Sequence, residues 1–145
     1  MSVTIRPAEL DDVADLFFVR TSVRENHISR ERLAELGITD ASISEMIFAS
    51  RCAWVAVIDE EIIGFSMIDV DEASLFAAFV LPAHEGKGVG RRLVLLAESE
   101  LFQHYSEIWL ETDKDSRAAG FYRHLGWSNE GEAKGNQIRL TKTRP

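Results

Sequence analysis

A β-type run from Ser74 to Val80 stops against Pro82, and Gly86, Gly88 and Gly90 then alternate with other residues before an amphipathic helix begins. Proline has no N–H to extend a sheet ladder, so the strand must leave the sheet there. Glycines at every second position let the turn adopt backbone angles closed to other residues and keep its inner side free of side chains. The main-chain N–H groups of Glu85, Gly86, Lys87, Gly88, Val89, Gly90 and Arg91 can then converge on an anion. The new helix adds unsatisfied first-turn amides and the positive end of its dipole. A diphosphate suits such a cradle. Spacing excludes two other phosphate loops. A P-loop needs four residues between its first glycine and Gly-Lys-Ser/Thr, whereas Gly86-Lys87 is followed by Gly88. The dinucleotide fingerprint G-x-G-x-x-G is broken because Gly90 comes one position too early.

A second segment, Asp115-Ser116-Arg117-Ala118-Ala119-Gly120-Phe121-Tyr122-Arg123-His124-Leu125-Gly126-Trp127, predicts a short helix. Asp115 is a suitable N-cap. Ala118, Phe121, Tyr122 and Leu125 share one face, and Gly126 is placed to end the helix in a left-handed conformation. Taken alone, this is a core helix with Tyr122 as a packing residue.

Together the two segments resemble the GCN5-related N-acetyltransferase (GNAT) family, in which Q/R-x-x-G-x-G/A precedes a helix and N-x-x-A-x-x-F-Y-x-x-x-G-F/W follows a strand. Glu85 to Gly90 and Asp115 to Trp127 occupy those places in order, and Ile5-Arg6-Pro7-Ala8 extends the likeness to the start of the chain. The resemblance implies a single α/β (α+β) domain over residues 1–145. Its mixed, mostly antiparallel sheet would have about six or seven strands, flanked by about four or five helices. It also implies acetyl-CoA as cosubstrate, no metal, and direct acetyl transfer to a primary amine of a small or amino-acid-like molecule. A protein N-terminus or lysine is the alternative acceptor. A non-catalytic acetyl-CoA-binding sensor is the alternative of another class.

Roles carry over position by position. Residues 85–91 would hold the diphosphate. Phe79, Val80 and Leu81 would pair with the pantetheine arm, one N–H meeting the thioester oxygen, and Asp115 would flank the cofactor. Tyr122 would supply a proton to the departing sulfur. Leu110-Glu111-Thr112 is similar to a family strand whose glutamate is the base, which makes Glu111 the first candidate, with Asp69 and Asp71 behind it. Two positions depart from the pattern. Glu85 replaces Gln or Arg and brings a carboxylate towards the phosphates, offset by Lys87, Arg91 and Arg92. Asp115 replaces Asn and loses an amide donor. The polar stretch Arg20 to His27 is expected to shape the acceptor pocket, with Arg20 and Arg24 for a carboxylate and Glu25 or His27 for an amine. His84 and His124 are expected at the surface.

Composition narrows the partners. With 24 acidic against 16 basic residues the net charge is −8, which opposes general nucleic-acid binding and is compatible with a cationic acceptor. No apolar run approaches a membrane span, and the N-terminus lacks a signal-peptide pattern. A cytoplasmic location is expected, since Cys52 is the single cysteine and reads as a small core residue. Many relatives of this type are dimers, so a homodimer is compatible with the resemblance. The remaining pattern predicts a strand at Val3–Arg6, a helix at Leu10–Arg24, a helix capped by Ser29 and ended by Gly37, and a helix at Asp40–Ser50. Strands follow at Ala53–Ile58, Ile62–Val70, Ala73–Leu81 and Glu107–Thr112, with a closing hairpin of Trp127–Glu132 and Asn136–Thr141.

Overall fold

The runs Ala53 to Ile58 and Ile62 to Ile68 place apolar residues at nearly consecutive positions, so strands built from them need cover on both faces. The computed structural model describes residues 2–145 and covers both faces of one sheet with helices. In chain order the elements are β1 (Thr4–Pro7), α1 (Val13–Ser22), α2 (Arg30–Glu35), α3 (Asp40–Ala49), β2 (Ala53–Ile58), β3 (Glu61–Asp69) and β4 (Ser74–Val80). They continue with α4 (Val89–Phe102), β5 (Glu107–Asp113), α5 (Arg117–His124), β6 (Ser128–Glu132) and β7 (Gln137–Thr143). The seven strands lie in the order β1-β2-β3-β4-β5-β7-β6, antiparallel except where β4 meets β5. Fold class and strand count agree with expectation.

On one face α4 lies across β2, β3 and β4, burying Leu93, Val94, Ala97 and Leu101 completely. Gly64 on β3 permits this close approach. A Cβ there would stand 3.0 Å from the Phe79 carbonyl oxygen and 3.3 Å from Leu93 Cδ1. Ser66 Oγ donates to the Leu93 carbonyl at 2.9 Å and ties the same helix to the sheet. The opposite face of β3 and β4 is covered by α1, which buries Leu16, Phe17 and Val19 and packs on α3. Cys52 is buried at the head of β2, as expected.

Local chemistry sets the element ends. The single helix expected over 10–24 is instead a 3-10 turn at Leu10–Asp12 followed by α1. The cause is Asp12, whose carboxylate accepts from the Glu9 N–H at 2.7 Å and from Arg6 at 2.8 and 3.1 Å, fixing a separate first turn. Ser29 and Thr39 cap α2 and α3 through the N–H groups of Arg32 and Ser42, and Gly37 takes φ +81° just beyond α2. No helix among the described residues is long and apolar enough to cross a membrane.

Candidate active site

β4 and β5 run parallel and touch at one bridge, Ser74 with Trp109, where the Trp109 N–H donates to the Ala73 carbonyl at 3.1 Å. Beyond that point the two strands diverge, and a gap opens towards their C-terminal ends. Strand alternation decides which main-chain groups face it. The Leu81 N–H donates to the Ile63 carbonyl at 2.8 Å, so Leu81 and, in register, Phe79 point at β3. Ala78 and Val80 therefore point into the gap. On β5, Trp109 bonds towards β4, which turns the main-chain groups of Glu111 and Asp113 the same way. Of the strand residues expected to offer free main-chain groups, Val80 does so; Phe79 and Leu81 are committed to β3. Ala78 joins Val80, and only the register could reveal it.

The loop after β4 is built as its glycines require. Gly86 and Gly88 have φ of +76° and +80°, conformations that any side chain would strain, and a Cβ at either would meet nothing within 4 Å. Gly88 is the N-cap of α4 and no side chain caps that helix; the first ladder bond is Arg92 N–H to the Gly88 carbonyl at 3.2 Å. The first-turn amides of Val89, Gly90 and Arg91, like those of Gly86, Lys87 and Gly88, thus have no hydrogen-bond acceptor among the described residues. Glu85 stands apart, because its N–H closes a turn onto the Pro82 carbonyl at 3.4 Å. Its carboxylate is 3.5 Å from the guanidinium of Arg117 at the start of α5, an exposed pairing. Lys87 and Arg91 are exposed around the loop, whereas the Arg92 guanidinium, expected there too, donates to the Val3 carbonyl at 3.1 Å.

α5 begins one residue later than its sequence pattern suggests. Ser116, not Asp115, is the N-cap: its Oγ accepts from the Ala119 N–H at 3.2 Å, while Asp115 is exposed in the preceding turn. Ser116 is fixed there because its own N–H and hydroxyl both donate to the Asp113 carbonyl. Gly126 ends the helix at φ +99°, with the Trp127 N–H reaching back to the Tyr122 carbonyl at 3.0 Å. Tyr122 is buried on α5, and burial, helped by the nearby Glu98 carboxylate, pushes its phenol pKa well above the ordinary range.

A cavity of about 250 Å³ runs through the gap between β4 and β5. Tyr122, Ala118, Leu110 and Thr112 meet it near α5; Arg20, Phe17 and Phe79 meet it below α1. Glu111 and Asp113 also line it. Glu111 is held by Arg139 at 3.0 Å, and Asp113 accepts from Gln137 Nε2. Arg20 stacks 4.2 Å over the Phe79 ring and donates to the Asn26 carbonyl at 3.0 Å; burial lowers its pKa, opposed by Asp113. The other polar residues assigned to an acceptor lie elsewhere. Arg24 and Glu25 line a second recess with Pro82 and Glu85, and Glu25 accepts from the Arg117 N–H at 2.7 Å. His27 is exposed and turned onto the Val23 carbonyl at 3.2 Å. Asp69 and Asp71 sit at the β3–β4 turn, at the other end of β4, and neither lines the cavity. Asn26, which does, carries no signal in the sequence beyond its neighbours.

The family model described as the acetyltransferase (GNAT) family matches residues 11–127, a span that contains both the glycine loop and the Tyr122 helix. The chain belongs to this family. Solved structures similar to this GNAT chain share its fold over nearly the full length. An N-acetyltransferase from Thermoplasma acidophilum, solved in complex with coenzyme A, is 20% identical with a TM-score of 0.79, covering 99% of this chain and 100% of that one. An N-acetyltransferase from Staphylococcus aureus is 12% identical with a TM-score of 0.77, covering 99% of both chains. The ribosomal-protein-S18-alanine N-acetyltransferase from Escherichia coli is 18% identical with a TM-score of 0.71, covering 98% of this chain and 94% of that one. Curated protein sequences give no significant match.

Proposed function

We propose that this GNAT protein transfers the acetyl group of acetyl-CoA to a primary amine of a small or amino-acid-like acceptor. The observation that carries the reading is the gap between β4 and β5, with an uncapped helix start at its mouth and Tyr122 on its wall. The chain fits the cosubstrate: Gly86 and Gly88 leave open space before a row of free amides, which suits a diphosphate. The coenzyme A in the T. acidophilum structure supports the same assignment.

When bound, acetyl-CoA supplies a thioester carbon: the amine lone pair forms the N–C bond, the C–S bond breaks, the ammonium loses its extra proton, and the sulfur leaves as a thiolate that takes a proton from water. The outward main-chain groups of Ala78 and Val80 are the ones available to pair with an extended arm and to donate to a carbonyl oxygen that gains charge. One such donor contributes about 3 kcal/mol. Tyr122 donates its O–H towards the departing sulfur. Glu111 lines the acceptor side of the cavity and takes the proton from the ammonium, held in place by Arg139. Asp115 is left a peripheral position beside the cofactor, since Ser116 has taken its capping role.

A second reading, acetylation of a protein N-terminus, is supported by the E. coli neighbour that acts on an alanine of ribosomal protein S18. Both readings are tested by calorimetry with acetyl-CoA followed by thiol release across amines and peptides. Binding in the micromolar range with turnover of at least one amine is expected. Binding without turnover on any acceptor would favour the sensor instead, and no binding would end the assignment.

A further inference from the structure

The acceptor half of the cavity is mostly apolar, with one buried polar atom left unpartnered among the described residues, the Oδ1 of Asn26. Below α1 and α2 its wall is made by Leu16, Phe17, Leu33, Ile38, Phe65 and Phe76, and the charged groups reaching it are Arg20, Glu111 and Asp113. Each of these three already has a protein partner, in Asn26, Arg139 and Gln137 respectively. A second ammonium placed below α1 and α2 would lose water among apolar side chains beside the like-charged Arg20, while Asp113, whose partner is the neutral Gln137 amide, and Glu111 face the reacting nitrogen. The cavity of about 250 Å³ also has to hold the thioester end of the cosubstrate near Tyr122, so the part below α1 and α2 has room for one compact group. Resting on the acetyltransferase reading, we propose that the acceptor is a primary amine carrying one bulky apolar group. That group fills the space below α1 and α2 while the nitrogen stays in the gap beside Glu111 and Asp113. A free aryl- or alkylamine and the N-terminus of a peptide with a bulky apolar first residue share this chemistry.

Thiol release from acetyl-CoA is measured with phenethylamine, leucinamide and a peptide beginning with Leu, against putrescine and a peptide beginning with Ser. The apolar amines are expected to exceed the polar ones in kcat/KM by about 10- to 100-fold, the range for burying one large apolar group. A higher value for the Leu peptide than for leucinamide assigns the protein source, and the reverse assigns a free amine; both uphold the shared chemistry. Equal or better turnover of putrescine or the Ser peptide overturns it. Two variants read the wall directly. Ala77→Leu narrows the cavity and should raise the phenethylamine KM at least about 5-fold with acetyl-CoA affinity unchanged. Leu36→Asp places a charge at a rim residue that is 54% exposed, so folding is not at risk, and should shrink the apolar preference. If neither variant moves the acceptor KM, the pocket assignment is wrong. Should no amine turn over, calorimetry of phenethylamine against putrescine with coenzyme A present still decides. Tighter phenethylamine keeps the pocket assignment while counting against catalysis, and equal or tighter putrescine overturns it.

Discussion

Tyr122 is wedged edge-on between Phe121 at 5.3 Å and Trp127 at 6.1 Å, ring centroid to ring centroid. Its folded-state pKa is raised, first by burial and then by the carboxylate of Glu98, so the phenol keeps its proton throughout the neutral range. A thiolate conjugate to an acid of pKa about 8.5 is too weak a base to strip such a phenol. Tyr122 therefore acts as a hydrogen-bond donor to the leaving sulfur and exchanges little net proton with it. The expected outcome for Tyr122→Phe is a kcat about 10- to 100-fold lower, with acetyl-CoA affinity changed far less. Because the shift is upward, no alkaline limb from Tyr122 should appear in the wild-type rate profile below about pH 9. A limb near neutrality that vanishes in Tyr122→Phe would show a true proton transfer instead.

Between elements, one buried ion pair joins α4, β7 and the end of α5. Glu98 on α4 accepts from Lys142 Nζ at 2.6 Å and from Trp127 Nε1 at 3.0 Å, and Lys142 also donates to the Leu125 carbonyl at 2.8 Å. The side chains are 6% and 14% exposed, so water screens the pair little. Glu98→Ala would leave the Lys142 ammonium buried without its carboxylate and should cost about 3 kcal/mol in urea unfolding. Glu98→Gln keeps an acceptor for Trp127 and should cost less; equal losses would show that the charge contributes nothing. This joint was not legible in the sequence. The α4 pattern marks Val89, Leu93, Leu96, Ala97 and Leu101 as one apolar face, yet Leu96 is 40% exposed and Glu98 is buried. Periodicity reports where a face lies, but not which polar residue is matched by a lysine 44 residues away. The glycine loop was legible because its constraint is local: φ near +80° strongly favours glycine, and Gly86 and Gly88 supply it, whereas the positive φ of Asn26, Asp59, Glu60, Ala73 and Asn129 carries no such mark in the sequence. The free groups of Ala78 were not, because pairing parity depends on β3. Nor was the contact of Glu25 with the Arg117 N–H, 92 residues distant, which removes Glu25 from the cavity.

At the scale of the molecule, the sheet is two blocks joined by a seam. β1 to β4 form one antiparallel block and β5, β7 and β6 another, and between them the ladder holds one bridge at Ser74 and Trp109. A ligand lying along this seam would act on both blocks at once, pairing with main-chain groups that the fold leaves unused. Binding that favours the folded state by about 2.7 kcal/mol at 100 times Kd should raise Tm by about 5–10 °C for a chain of this size. Where that stabilisation falls is the sharper test. Amide exchange should slow at Ala78, Val80 and the loop residues 86–91 on adding acetyl-CoA, because these N–H groups lack main-chain acceptors in the free protein. Leu81, already bonded to Ile63, should change little at the local level. A full rise in Tm with unaltered exchange along the end of β4 and the glycine loop would place the cosubstrate elsewhere on the molecule, whatever the sequence pattern suggests.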